Sequence, residues 1–311
     1  MANTFIKATK VVNTALGVLS RDVVLGNLVW RDAGGDFKGA KNDTVTIRVP
    51  AFVNARTRIM RSATTITTDD LSETSVDVTL DTHVYKSIGV TDEQMTLDIT
   101  DFGRQVLQPA TSSVVRGIED SLASEMNAAN YAKSFTLDTD DPYIGIIDAR
   151  VALNRANVPA GGRFLAVGSA VEADLLKSDR LSQFQLAGDN QALREAVIGR
   201  IGGFTAVSVP ALDPDWAIAA HMTAFVLSMQ APAIPDGVPW GQSATYDGFG
   251  LRVLKDYDFV NVRDRLLADV FIGTDVVTDH GVIDGSGKFQ PDYGANPILV
   301  RAVKLVRGGQ S

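Results

Sequence analysis

The sequence predicts an α+β protein built around one long helix, and three observations predict it. Residues 99–130 carry the longest helical pattern in the chain, the residues before them alternate with the period of a strand, and those after them switch between helical and strand-like patterns in short order. In the helical stretch Phe102, Val106, Ala110, Val114, Ile118, Leu122 and Met126 form a ladder of four-residue steps. Each such step overshoots a turn of 3.6 residues by about 40°, so the apolar stripe winds round the helix and meets different partners along its length. Pro109 removes a donor and crowds the preceding turn, which predicts a kink or a fresh start there.

Taken in order, residues 1–30 mix small, apolar and basic types with no convincing apolar face, which reads as an arm with short helical pieces that lies on an external surface. Residues 31–43 have turn composition. Residues 45–49 alternate as a half-buried strand that stops at Pro50. Residues 51–68 then hold Arg56, Arg58 and Arg61 with no acidic residue, whereas residues 69–81 hold Asp69, Asp70, Glu73, Asp77 and Asp81 with no basic one. From Val76 the even positions stay mostly apolar for about 15 residues, which predicts one strand far longer than the usual five or six. A basic limb, an acidic limb and few apolar residues between them predict a protruding hairpin, with Arg56, Arg58, Arg61, Asp69, Asp70 and Glu73 meeting neighbouring subunits more than their own body.

After the long helix, Asp141 caps a helix that starts at Pro142 and carries Ile144, Ile147, Val151 and Leu153. Residues 163–167 read as a short buried strand, Ser169-Ala-Val-Glu172 as a capping box, and residues 189–198 as a helix closed by Gly199. Residues 204–209 and 221–229 read as strands. Prolines 232, 235 and 239 mark a boundary over 231–250; residues 251–262, 266–272 and 298–306 supply the last strands.

Composition excludes several function classes. Hydrophobic residues at 45% and charged at 21% of 311 residues describe an ordinary folded chain. No apolar run reaches the length of a membrane span, and residues 1–20 lack the layout of a secretory signal. With no cysteine there is neither disulfide nor thiol chemistry. A net charge of −8 argues against a general grip on DNA, which needs basic surface. His83, His221 and His280 have no ligand or base at helical spacing. Residues 281–289 imitate a phosphate loop but put Ser286 and Phe289 at its obligatory positions. Asp138-Thr-Asp-Asp141 opens like a calcium loop, yet Tyr143 and Ala149 stand where Gly and Glu are required. The sequence therefore reads as no enzyme, with no catalytic, cofactor-binding or metal-binding residues.

The order of arm, extended hairpin, long helix, compact α/β region and return strands resembles the major capsid proteins of tailed bacteriophages, with the Hong Kong 97-like fold, and within them the podophage-type coat proteins. The resemblance is carried by Asp43-Thr-Val-Thr-Ile-Arg-Val-Pro50, Leu71-Ser-Glu-Thr-Ser-Val-Asp-Val-Thr-Leu80, Val90-Thr-Asp-Glu-Gln-Met-Thr-Leu-Asp-Ile99, Ala192-Leu-Arg-Glu-Ala-Val-Ile-Gly-Arg-Ile-Gly-Gly-Phe204 and Ala224-Phe-Val-Leu-Ser-Met-Gln-Ala-Pro232. It implies an N-terminal arm (1–42), an extended loop (43–97), a peripheral domain with the spine helix (98–141), an axial domain (142–250), and return strands of the peripheral domain with a C-terminal tail (251–311). It also implies a virion shell of hexamers and pentamers assembled in the host cytoplasm around double-stranded DNA that is not read by sequence. The partners implied are a portal, a separate scaffolding protein (since 42 residues are too few for a scaffolding prosegment) and a possible decoration protein. An encapsulin-like compartment shell is the alternative reading, and a secreted adhesive or carbohydrate-active protein a further one.

Overall fold

In the computed structural model, residue 15 and residues 23–31, 44–49, 57–62, 65–66, 68, 74–95, 102–178, 197–238, 240–246, 248–292 and 294–308 are described. Thr44–Val49 (β1) pairs antiparallel with Thr74–Thr79 (β2), from Thr44 opposite Thr79 to Val49 opposite Thr74. The long strand expected from Val76 is in fact two, because the chain breaks at Leu80-Asp81 and resumes as Thr82–Thr91 (β3) in a different sheet. The alternation keeps its phase across the break: Val76 and Val78 are buried, Leu80, Val84 and Ile88 half-buried and Val90 buried again, with Thr82 and Lys86 exposed among them. That unbroken parity is why periodicity alone shows one strand.

A single π-turn, Gly103–Leu107, runs directly into the long helix Gln108–Ala128 (α1). Pro109 therefore falls in the first turn of α1, where its missing N–H costs least and the wider turn ahead relieves the crowding. Val106, Ala110, Val114, Ile118, Leu122 and Met126 are all buried, joined by Leu107, Val115 and Ala123 one position on. The expected change of partner along the helix is observed. Gly117 lies so close to Val84 of β3 that a Cβ there would sit 2.6 Å from Val84 Cγ1. Ten residues later, Asn127 Oδ1 accepts the Asp213 amide at 3.3 Å, in a loop of another sheet.

Ser134–Leu137 (β4) leads to the helix Pro142–Arg155 (α2), then to Arg163–Val167 (β5) and the short helix Ser169–Lys177 (α3). Pro142 takes the expected first-turn place and Asp141 the position before it, but the Asp141 side chain makes no cap hydrogen bond. The face of α2 differs from the expected one: Ile146, Ala149 and Leu153 are buried, while Ile144 and Val151 are exposed. The capping box does not form. The Ala170 and Val171 amides bond the Pro214 carbonyl at 3.0 and 3.3 Å, and Glu172 instead accepts the Ser208 hydroxyl at 2.5 Å. Beyond the undescribed part of the expected helix over 189–198, Val197–Ile201 (β6) is a strand, and Gly199 (φ +105°) serves its irregular pairing with Phe204–Ser208 (β7) rather than a helix end.

The run over 221–229 divides into Trp216–His221 (β8) and Phe225–Gln230 (β9), joined by a turn in which the Ala224 amide bonds the His221 carbonyl at 2.8 Å. Then come Trp240–Tyr246 (β10), Phe249–Asp258 (β11), Arg263–Val276 (β12), Asp279–Ile283 (β13), Phe289–Pro291 (β14), Pro297–Ile298 (β15) and Ala302–Arg307 (β16).

Two larger sheets organise these strands. One has the order β10-β11-β12-β3, with β9 taking up the far end of β12; the other has the order β4-β16-β8-β5-β7-β6. The chain's end thus departs from expectation. β16 does not return to the sheet of β11 and β12 but lies between β4 and β8, and β4 and β9 likewise fall on the other side of the expected boundaries near 141 and 250. An inner strand covered on both faces favours apolar residues, and Ala302, Val303 and Leu305 are buried, while the intervening Lys304 lays its Nζ over the Trp216 ring. The two faces of β5 show the layering: Phe164 and Ala166 join the core of α1, while Leu165 and Val167 join that of α2 and α3.

Candidate assembly surfaces

The hairpin of β1 and β2 has one apolar and one polar face. Ile47, Val76 and Val78 pack on Val226 and Val277, with Trp30 and Leu80 beside them. On the outer face the Thr44 and Thr79 hydroxyls share a hydrogen bond of 2.8 Å, and Thr46 Oγ1 donates to Asp77 Oδ1 at 2.6 Å. The expectation that this segment lacks apolar surface to hold itself down is corrected at its base. There β2 crosses β12 so tightly that a Cβ at Gly273 would meet the Thr79 carbonyl oxygen at 2.2 Å.

Beyond the base, residues 57–61, 65, 66 and 68 are exposed. Ser62 N–H donates to the Ile59 carbonyl at 3.2 Å, Arg58 Nη2 donates to the Ser62 carbonyl at 2.6 Å, and Arg61 takes the left-handed conformation at φ +63°. This turn shows two large apolar side chains to solvent, Ile59 at 83% and Met60 at 88% exposure, flanked by Arg58 and Arg61. Of the expected contact residues, Arg58 and Arg61 come together on this turn; Arg56, Asp69, Asp70 and Glu73 lie outside the described residues. Sequence reasoning weighed the charges and passed over the apolar pair. Its only signal was two large apolar residues in a run otherwise of Arg, Thr and Ser.

A second exposed tip went unread because it continues an apolar strand pattern. Between β11 and β12 the turn at 259–262 exposes Phe259 (85%) and Val260 (89%). Asp258 builds it, accepting the Val260 and Asn261 amides at 3.1 and 3.3 Å and the Asn261 side chain at 2.8 Å. These bonds, led by the Asn261 side chain, hold the Asp258 carboxyl down at about 2. Tyr257 packs edge-on to Phe259 with ring centres 5.0 Å apart and donates to Asp92 at 2.7 Å. Val262 sits at φ +49°, a conformation that a β-branched residue adopts at a cost of roughly 1–3 kcal/mol. The charges below the tip are paired within the hairpin, Lys255 with Asp264 at 2.9 Å and Arg265 with Asp256 at 2.6 Å. The tip thus offers carbon, on a rigid and locally strained support, which is the composition of a protein contact.

Among the described residues of the arm, Val23 and Leu25 join the core of the long helix, and Glu119 holds the turn beside them. Glu119 accepts the Val24 and Leu25 amides at 3.0 Å each and the Gly26 amide at 3.3 Å, while burial, partly offset by these bonds, pushes its carboxyl above the usual range.

Comparison with known proteins identifies the family. The sequence profile of the family described as Phage capsid protein matches residues 72–268, well over half of the chain. The chain belongs to the phage capsid protein family. No curated protein matches this capsid protein. Solved structures do: one from Mycobacterium phage Che8 (20% identity, TM-score 0.60, covering 91% of this chain and 90% of that one) and the capsid of cyanophage P-SCSP1u (9%, 0.58, 100% and 91%). A virus-like particle from Pyrococcus furiosus is also similar (13%, 0.52, 96% and 98%). The fold is the Hong Kong 97-like fold of phage heads. The capsid protein is a structural protein, the major capsid subunit of a virion shell.

The motifs that imitate chemistry have structural work in the capsid protein. At the phosphate-loop look-alike, Asp284 Oδ1 accepts Ser286 N–H and Lys288 N–H at 2.9 Å each and the Ser286 hydroxyl at 2.7 Å. The amide nest is already filled by its own carboxylate, which Ser286 above all holds at about 2. At the calcium-loop look-alike, Asp138 Oδ1 accepts the Asp140 amide at 2.9 Å. Among the described residues no three His, Cys, Asp or Glu gather as a metal site, and no helix is long and apolar enough to cross a membrane.

The capsid protein also contains a cavity of about 360 Å³, where the end of α2, the β8–β9 turn, β13, β14 and Trp30 meet. Val158, Pro159, Phe289, Val300 and Trp30 line it, with His221, Thr223, Asp279 and Arg301 at one side. Arg301 grips Asp279 with both ends (Nε to Oδ2 2.7 Å, Nη2 to Oδ1 2.6 Å) and donates through Nη1 to Thr223 Oγ1 at 3.0 Å. The Thr223 amide donates to His221 Nδ1 at 3.3 Å, so that nitrogen is an acceptor: it takes the hydrogen of the Thr223 hydroxyl, 2.9 Å away, and the ring proton lies on Nε2. Burial lowers the His221 pKa, and Arg301 and Arg163 add to that, against the opposing pull of the Gly161 carbonyl.

Proposed function

We propose that the capsid protein assembles as hexamers and pentamers into a closed icosahedral head around double-stranded DNA that it does not read by sequence, in the host cytoplasm, on a separate scaffolding protein and with a portal at one vertex. The observation that carries this reading is the pair of exposed apolar tips, Ile59-Met60 and Phe259-Val260, each held in shape by local hydrogen bonds while the strands at the base of its hairpin are anchored on the subunit's own body. A subunit designed to stay alone has no use for two rigid apolar projections; one that closes a shell meets copies of itself at several places on its rim. Arg56, Arg58, Arg61, Asp69, Asp70 and Glu73 supply the salt-sensitive part of the hairpin contact. Exposed ion pairs are each worth only about 0.2–1 kcal/mol, so misplaced subunits can leave during growth.

Electron microscopy of the purified protein, alone and coexpressed with the scaffolding protein of its own phage, tests this. Closed shells of uniform size are expected; a protein that stays monomeric under both conditions refutes the reading. The likeness to the Pyrococcus furiosus particle favours a cellular compartment shell as second reading. Particles isolated from the native source that hold protein cargo instead of DNA would establish that reading.

A further inference from the structure

The cavity between α2, the β8–β9 turn and β13 is neither part of the assembly surfaces nor explained by them. Its walls come from segments far apart in the chain, at Trp30, 156–159, 221–223, 279, 289 and 300–301. Its lip is fixed. Asn157 turns the chain at φ +55° at the end of α2, and the buried Arg163 side chain donates to the Val158 and Pro159 carbonyls at 2.6 and 2.8 Å. The polar side is fixed as well, by the Asp279–Arg301–Thr223–His221 chain of hydrogen bonds. Its charges cancel: one guanidinium is matched by one carboxylate and the imidazole has no spare proton to share. A preformed, mostly apolar hollow of about 360 Å³ with a few fixed polar groups has the size and composition of a small-molecule site.

The geometry points to a ligand site in which this cavity takes a neutral, predominantly apolar small molecule of fused-ring size, its one polar edge turned to Thr223 and the Arg301–Asp279 pair. A charged ligand is disfavoured because the lining has no unmatched charge to receive it. Since the walls belong to both the six-stranded sheet and the β13–β14 hairpin, an occupant bridges them and stabilises the subunit by mass action.

The test uses the unassembled full chain and Nile red, a neutral fused-ring dye that brightens in apolar surroundings. Saturable binding of one dye per subunit in the micromolar range, with a rise in Tm on adding dye, is expected. Two substitutions fill the hollow from opposite walls, Val300→Phe and Ala156→Phe, and each should weaken binding at least tenfold with circular dichroism unchanged. Using two guards against one of them misfolding. Val260→Asp, which removes the exposed apolar tip, should leave binding as in the wild type. Absence of saturable binding overturns the proposal, as does equal binding by both filled variants or loss of binding in Val260→Asp. Loss of the bound dye on shell assembly would show that a neighbouring copy occupies the hollow, and would overturn the small-molecule assignment too.

Discussion

Replacing Asp269 by Asn should destabilise the subunit more than any change at its exposed tips. Asp269 is wholly buried in β12 and directly opposite Arg252 of β11. Its Oδ1 accepts Arg252 Nε at 2.9 Å, and its Oδ2 accepts Arg252 Nη2 at 2.5 Å and faces His83 Nε2 of β3 at 2.9 Å. One carboxylate thus ties three adjacent strands of the sheet that carries the long helix. Asn keeps the shape but removes the charge, and turns an NH2 group towards a nitrogen donor. Breaking a buried pair this way costs about 3–5 kcal/mol. The lower end applies here, because Arg252 Nη1 keeps its bond to the Ala233 carbonyl at 2.5 Å. With an unfolding entropy of roughly 2.1 cal/mol/K per residue, a chain of 311 residues loses about 5 °C of Tm for 3 kcal/mol. Differential scanning calorimetry of the unassembled subunit measures it. The double change Asp269→Leu with Arg252→Met should recover much of the loss, since neither charge is then left unmatched in the core. A single Asn variant that melts within about 2 °C of the wild type would refute the reasoning: the carboxylate would then be spectator, not tie.

Three further outcomes are expected. Arg58→Glu with Arg61→Glu should leave the monomer's Tm within about 1 °C, since both side chains are exposed, but should impair shell formation by light scattering; unfolding of the monomer instead would place the tip in the subunit's own core. Because the chain has no cysteine, Val260→Cys adds a unique thiol that a maleimide should label readily in the free subunit and slowly in the shell; equal rates would remove that tip from the contacts. His221 should make stability fall in mild acid. Its folded pKa lies below its unfolded value of about 6.5, so the unfolded chain takes the proton first, and stability present above that pH declines as pH drops through it. Urea unfolding at pH 7.5 and 5.5 should show a smaller decline in His221→Asn, which keeps the acceptor for Thr223; an identical decline in both would clear His221 of the effect.

Much of this fold is legible in the sequence. The four-step ladder of α1 marks its buried residues one by one, because a helix that meets several partners needs apolar residues at a spacing that drifts. Residues 163–167, apolar apart from Arg163, announce an inner strand for the same reason of burial on both faces. The strand over 204–209 and the first-turn Pro142 are equally local signals, and both hold, whereas the Asp141 side chain stands at the helix start without making the cap hydrogen bond. What local pattern cannot carry is partnership. The parity from Val76 to Val90 is the same whether the strand stays in one sheet or changes sheets at Asp81; only the crossing over Gly273 decides. Residues 298–306 read as one last strand, yet only Ala302–Arg307 joins the six-stranded sheet, and which sheet has room for it depends on β4 and β8, more than 80 residues away in sequence. Ser169 and Glu172 suit a capping box until the Gly168 carbonyl takes the Glu172 amide and the Ser208 hydroxyl donates to the Glu172 carboxylate. The two exposed tips escaped for a related reason. An apolar residue is assigned to the core by default, and Ile59, Met60, Phe259 and Val260 show themselves as surface only when the folded body is seen to leave them outside it. Periodicity in this chain determined which side chains needed cover; the tertiary structure decided what covered them, because burial is a property of pairs of segments and not of one.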